Sequence, residues 1–118
     1  MIFGAHVIVY SEDAAADRAF FQEVLGFSSV DAGHGWLIFA LPAAELAVHP
    51  EERAGAHELY LMTDDLEAEM AALGAKGVEF SNVEEARWGS VTKIRLPGGG
   101  HVGLYQPKHP SPLVPNPD

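Results

Sequence analysis

The order of residue types between His6 and His49 returns between Glu58 and Tyr105. A repeat of about 50 residues restricts the chain to two copies of one supersecondary unit. In the first copy an alternating stretch from His6 to Tyr10 runs into Ser11-Glu-Asp13, an amphipathic helix follows, and Leu25-Gly26-Phe27 stops it. In the second, Glu58 to Met62 runs into Thr63-Asp-Asp65, a helix places Leu66, Met70 and Leu73 on one face, and Gly74 and Gly77 close it before Val78. His6 stands seven residues before Asp13, and Glu58 seven before Asp65. Units this small do not bury an apolar face alone, so they share one core, and a binding surface is expected where they face each other.

The 118 residues fit a single domain, read as modules 4–50 and 56–106 with a tail at 107–118. With 17 acidic against 7 basic residues and a formal charge of -10, nucleic acid is a poor partner, because such affinity rests on Lys and Arg contacts. A neutral or cationic small ligand fits better, although acidity also serves solubility. The absence of cysteine removes disulfides and thiolate ligands, which fits a reducing cytoplasm and leaves any metal to His, Asp or Glu. No segment approaches the roughly 18 apolar residues of a spanning helix, so a soluble protein without membrane partners is expected.

Hydrophobic periodicity predicts strands at 5–10, 27–32, 36–41 and 45–49 around a helix at 14–25 capped by Ser11 or Asp13. The second module is predicted as strands at 57–63, 78–81, 90–96 and 101–106 around a helix at 65–75. Asp31-Ala-Gly-His-Gly35 and Gly98-Gly99-Gly100 read as hairpin turns. The tail carries five prolines and reads as extended chain.

Alternation splits each strand into two faces. Val7 and Val9 oppose His6, Ile8 and Tyr10. Leu59 and Leu61 oppose Glu58, Tyr60 and Met62; Leu46 and Val48 oppose Glu45, Ala47 and His49; Val102 and Leu104 oppose His101, Gly103 and Tyr105. The aliphatic faces should pack on the helices. The mixed faces carry too many large groups for a surface that only meets water, so they are read as lining a shared concavity floored by Ala47 and Gly103.

This ordered set over residues 4–107, with a His in the first strand, Asp-Asp before the second helix and Pro-Gly-Gly-Gly before the last strand, resembles the vicinal oxygen chelate superfamily of glyoxalase I, bleomycin-resistance proteins and extradiol dioxygenases. The resemblance implies an α+β fold of two β-α-β-β-β modules in pseudo-twofold arrangement around a half-open barrel cavity. It also implies a homodimer whose exposed sheet edges pair between chains. In metal-dependent members a divalent ion (Zn, Mn, Ni or Fe) sits between the modules. Its ligand places fall here on His6, Ala47, Glu58 and Gly103, and a register slip of two would bring in His49.

Two functions follow as expectations. The first is a small-molecule-binding protein with an incomplete metal site and no cofactor, sequestering a drug-like or cationic ligand toward Glu58 and Glu45. The alternative is a metal-dependent glyoxalase- or dioxygenase-type enzyme with an ion on His6, Glu58 and His49 and with Glu58 as general base. Candidate ligand-binding residues are His6, Tyr10, His49, Tyr60, Met62, His101 and Tyr105, joined by Trp36 and Trp88 as stacking groups. His57 is expected to be exposed. His34 and His109, in a turn and in the tail, carry no assignment.

Overall fold

The structure is a computed structural model that describes residues 6–45, 47, 50, 52, 56–110 and 112–113. Helix α1 (Ala14–Ala19) continues into a π-helical turn over Phe20–Val24, closed by Leu25 N–H donating to the Phe20 carbonyl at 3.1 Å. Strands β1 (Ser29–Asp31) and β2 (Leu37–Phe39) follow, then β3 (Tyr60–Met62), α2 (Leu66–Gly74), β4 (Glu84–Ala86), β5 (Gly89–Arg95) and β6 (His101–Pro107).

The repeat is plainest where each helix begins. Ser11 Oγ accepts from Asp13 N–H at 3.0 Å, and the Asp13 carboxylate accepts from Ala16 N–H at 3.1 Å. Thr63 Oγ1 accepts from Asp65 N–H at 3.2 Å, and the Asp65 carboxylate accepts from Ala68 N–H at 3.0 Å. Both aspartates therefore satisfy amide donors that a helix start leaves without partners. Of the two caps foreseen for α1, Asp13 is the residue whose side chain bonds into the helix.

The sheets are less symmetric than the sequence. β1 and β2 form a two-stranded hairpin around the expected turn, where the Asp31 carboxylate accepts from Gly33 N–H at 2.7 Å and His34 adopts a left-handed φ of 55°. The second module builds a four-stranded mixed sheet of order β3-β6-β5-β4, with β3 parallel to β6 and the other pairs antiparallel. Of the strand expected at 5–10, residues 6–10 pair with no strand among the described residues, and Val7, expected against a helix, is 49% exposed. The expected strand at 45–49 falls largely outside the described residues, as do Leu46 and His49. The strand at 78–81 is reduced to one bridge, Phe80 with Ile94, and β4 was not foreseen.

One face of the four-stranded sheet carries the core. Thr92, Ile94, Val102 and Leu104 are buried there together with Leu66 and Leu73 of α2, and Phe20 and Phe21 join the same cluster from the first module. Leu59 and Leu61 pack against it as expected. The two modules are also tied by polar contact: buried Asp17 on α1 accepts from Gly98 N–H at 2.7 Å, and Glu12 N–H donates to the Gly98 carbonyl at 3.3 Å. A buried bond to a charged acceptor is among the stronger ones, so α1 is held to the β5–β6 hairpin.

Candidate ligand site on the sheet

The core residues of β5 and β6 leave Val91, Lys93 and Arg95, and His101, Gly103 and Tyr105, on the opposite face. Parallel pairing sets Tyr60 opposite Gly103 and Met62 opposite Tyr105. Gly103 is buried, and a Cβ there would overlap the Tyr60 ring. The absence of a side chain on β6 thus lets an aromatic ring lie across the strand.

Three rings meet at this point. Tyr60 and Tyr105 stand edge to face with centroids 5.8 Å apart, and Trp88 lies 5.3 Å from Tyr105 and 6.3 Å from Tyr60, also edge-on. Such arrangements contribute about 0.5–1.5 kcal/mol per pair beyond area burial. Trp88 precedes β5, and its carbonyl accepts from Lys108 N–H at 2.8 Å, which sets the indole beside the end of β6.

Each tyrosine hydroxyl is donated to a carboxylate. Tyr60 Oη donates to Glu58 Oε2 at 2.6 Å, and Tyr105 Oη to Glu45 Oε1 at 3.2 Å. The bond to Glu58, then burial, then the Glu58 charge push the Tyr60 phenol up from the usual 10.0 to about 12. Burial first, then the bond to Glu45, also raises Tyr105. A raised phenol pKa means that the fold favours the neutral form, so this contribution to stability is complete below pH 10 and is lost as pH climbs through about 12. Glu58→Gln should move the Tyr60 transition, followed by phenolate absorbance, back toward 10.0; an unmoved transition would mean that burial alone sets it.

The other sequence candidates lie elsewhere. His101 is exposed at the far end of β6, opposite Arg95. His6 is exposed, and Tyr10, 88% exposed, borders an open depression of about 450 Å³ with Ser11, Glu12, Gly98, Gly99 and Gly100. Trp36 is 64% exposed, and the Arg18 guanidinium sits 4.8 Å from its ring centre. His57 is exposed. Among the described residues no three His, Asp or Glu side chains converge as a metal-binding group.

Sequence reasoning missed His109. Its ring lies 6.0 Å from that of Tyr105 with an interplanar angle of 32°, and its Nε2 is 3.2 Å from Tyr105 Oη. The available signal was spacing: Tyr105, Pro107 and His109 follow one another at intervals of two, the strand period.

No protein-family model and no curated protein matches the chain. Solved structures do. TnmS3, an antibiotic binding protein from Streptomyces sp. CB03234, is 26% identical with a TM-score of 0.60, over 88% of this chain and 100% of that one. A glyoxalase/bleomycin resistance protein from the same organism is 29% identical with a TM-score of 0.57, over 83% and 95%. Lactoylglutathione lyase from Agrobacterium tumefaciens, at 19% identity and a TM-score of 0.59 over 83% and 88%, shares the fold. No helix among the described residues is long and apolar enough to cross a membrane. The small α+β architecture, the mixed sheet and these neighbours together give this chain the fold of the glyoxalase/bleomycin resistance protein/dioxygenase superfamily.

Proposed function

We propose that the protein binds and sequesters a drug-like planar aromatic molecule without a metal ion. The observation that carries this reading is the cluster of Tyr60, Trp88 and Tyr105 over the side-chain-free strand at Gly103. Trp88, 41% exposed, and half-buried Tyr60 offer apolar contact beside Tyr105, 8% exposed, and the engaged tyrosine hydroxyls keep the desolvation cost small. The neighbours named as antibiotic binding and bleomycin resistance proteins support the same class.

Metal chemistry has weaker support. Ala47 and Gly103 offer no donor atom where metal-dependent relatives carry ligands, the Tyr60 ring fills the space above Gly103, and Glu58 is bonded to Tyr60. A divalent ion left to His6 and Glu58 would be mostly hydrated.

The working unit is proposed to be a cytoplasmic homodimer. Val7, Ile8 and Tyr10 are 49%, 62% and 88% exposed in a segment whose backbone pairs with no strand, which is a liability unless another edge covers it. A second chain pairing there would add to the two strands of the first module and complete a pseudo-twofold cavity. Sedimentation at the 12.7 kDa of one chain would remove this part of the proposal.

Binding is tested with 2-naphthol followed by Trp88 emission in a Trp36→Phe background. Tyr105→Ala should weaken binding by about 1–3 kcal/mol while excess chelator leaves it unchanged. Equal affinity in Tyr105→Ala, or loss of binding on chelation, would overturn the reading. Near-stoichiometric metal in the purified protein would promote the enzyme alternative.

A further inference from the structure

The tail does not run free past the last strand. Lys108 N–H donates to the Trp88 carbonyl at 2.8 Å, and its ammonium bonds Glu85 Oε2 at 2.9 Å. These contacts deliver His109 to the aromatic cluster, where it is half-buried against Tyr105.

The hydrogen bonds around His109 describe one chemistry. Its Nδ1 lies 2.7 Å from the Pro110 carbonyl, which only accepts, so Nδ1 carries a hydrogen. Tyr105 Oη has a single hydrogen, and its bond to Glu45 Oε1 at 3.2 Å uses it. With that hydrogen on Glu45, His109 Nε2, 3.2 Å from Tyr105 Oη, meets that oxygen as a donor, and Glu45 Oε1 stands 3.6 Å away, at ion-pair distance for a protonated ring. An imidazolium with a hydrogen on each nitrogen fits every one of these contacts together. It pairs with the Glu45 carboxylate while its ring lies over a phenol, an arrangement favourable to a cation.

We propose that His109 is an intramolecular surrogate for the ligand: the site takes a planar, protonated nitrogen heterocycle whose ring N–H is donated to Tyr105 and whose charge pairs with Glu45, and the tail leaves when it binds. This rests on the aromatic-ligand reading and names the ligand's polar end. Lys108 and His109 act as a strap that competes for the same place. Because a site occupied by its own tail binds with an affinity reduced by the fraction open, removing the imidazole strengthens a true competitor.

Benzimidazole, in mildly acidic buffer below its own pKa so that its ring is protonated, and 2-naphthol are titrated into the full chain carrying Trp36→Phe, alone and with His109→Ala, Glu45→Gln or Tyr105→Ala. His109 is a tail residue outside the core, so its replacement leaves the fold in place, which the thermal midpoint checks. Benzimidazole should bind His109→Ala about tenfold more tightly, as expected if the strap is closed about nine-tenths of the time. Glu45→Gln should weaken benzimidazole about five- to tenfold and leave 2-naphthol within about twofold, because only the protonated heterocycle brings a positive charge to that carboxylate. Unchanged benzimidazole affinity in His109→Ala, or an equal loss for both probes in Glu45→Gln, would overturn the surrogate while Tyr105→Ala still weakened 2-naphthol. If Tyr105→Ala left both probes unaffected, the aromatic-site reading would fall, and the surrogate with it.

Discussion

Ile94→Ala should lower the free energy of unfolding by about 3–4 kcal/mol, the range for deleting a fully enclosed branched side chain. Ile94 is 0% exposed, pairs with Val102 across β5 and β6, and belongs to the cluster that joins Leu66 and Leu73 of α2 to Phe20 and Phe21. The cavity would open inside the one cluster to which both modules contribute. Against a total of about 5–15 kcal/mol for a domain, the variant would be close to unfolding at physiological temperature. Urea titration with an unchanged slope checks this. A loss under about 1 kcal/mol would mean that the helices of the two modules do not share this face.

Gly103→Glu puts a carboxylate at the place where the family resemblance implies a metal ligand, and it should fail to create a metal site. The new Cβ overlaps the Tyr60 ring, so the ring must leave β6, and the bond between Tyr60 and Glu58 goes with it. Overpacking and the lost contacts should cost about 2–3 kcal/mol. Near-ultraviolet dichroism should report collapse of the coupling among Tyr60, Trp88 and Tyr105, and 2-naphthol binding should fall with it. Adding Tyr60→Ala should recover stability, since the two positions compete for one volume and their effects are not additive. Full stability of the single variant with one tightly held ion would show that the ring yields readily, and would reopen the catalytic reading.

Local chemistry is what the sequence by itself determined. The helix starts at Asp13 and Asp65, the turn at Asp31 and the aliphatic faces of Leu59, Leu61, Val102 and Leu104 each depend on neighbours within a few residues, and each could be read from spacing. The equivalence of the two modules could not be read this way. Residues 6–10 alternate as well as residues 58–62 do, but a strand exists only where a partner edge accepts it, and among the described residues only the second segment, at Tyr60–Met62, has one, β6. Tertiary structure alone decided that Tyr60 lies over Gly103, where its ring takes the space a side chain on β6 would need. It also decided that His109 returns to Tyr105 and Glu45 through the hold of Trp88 and Glu85 on Lys108. The physical reason is common to both: these contacts follow from strand register or from the hold of Trp88 and Glu85, 20 and 23 positions earlier, on Lys108, and composition and periodicity contain no term for register.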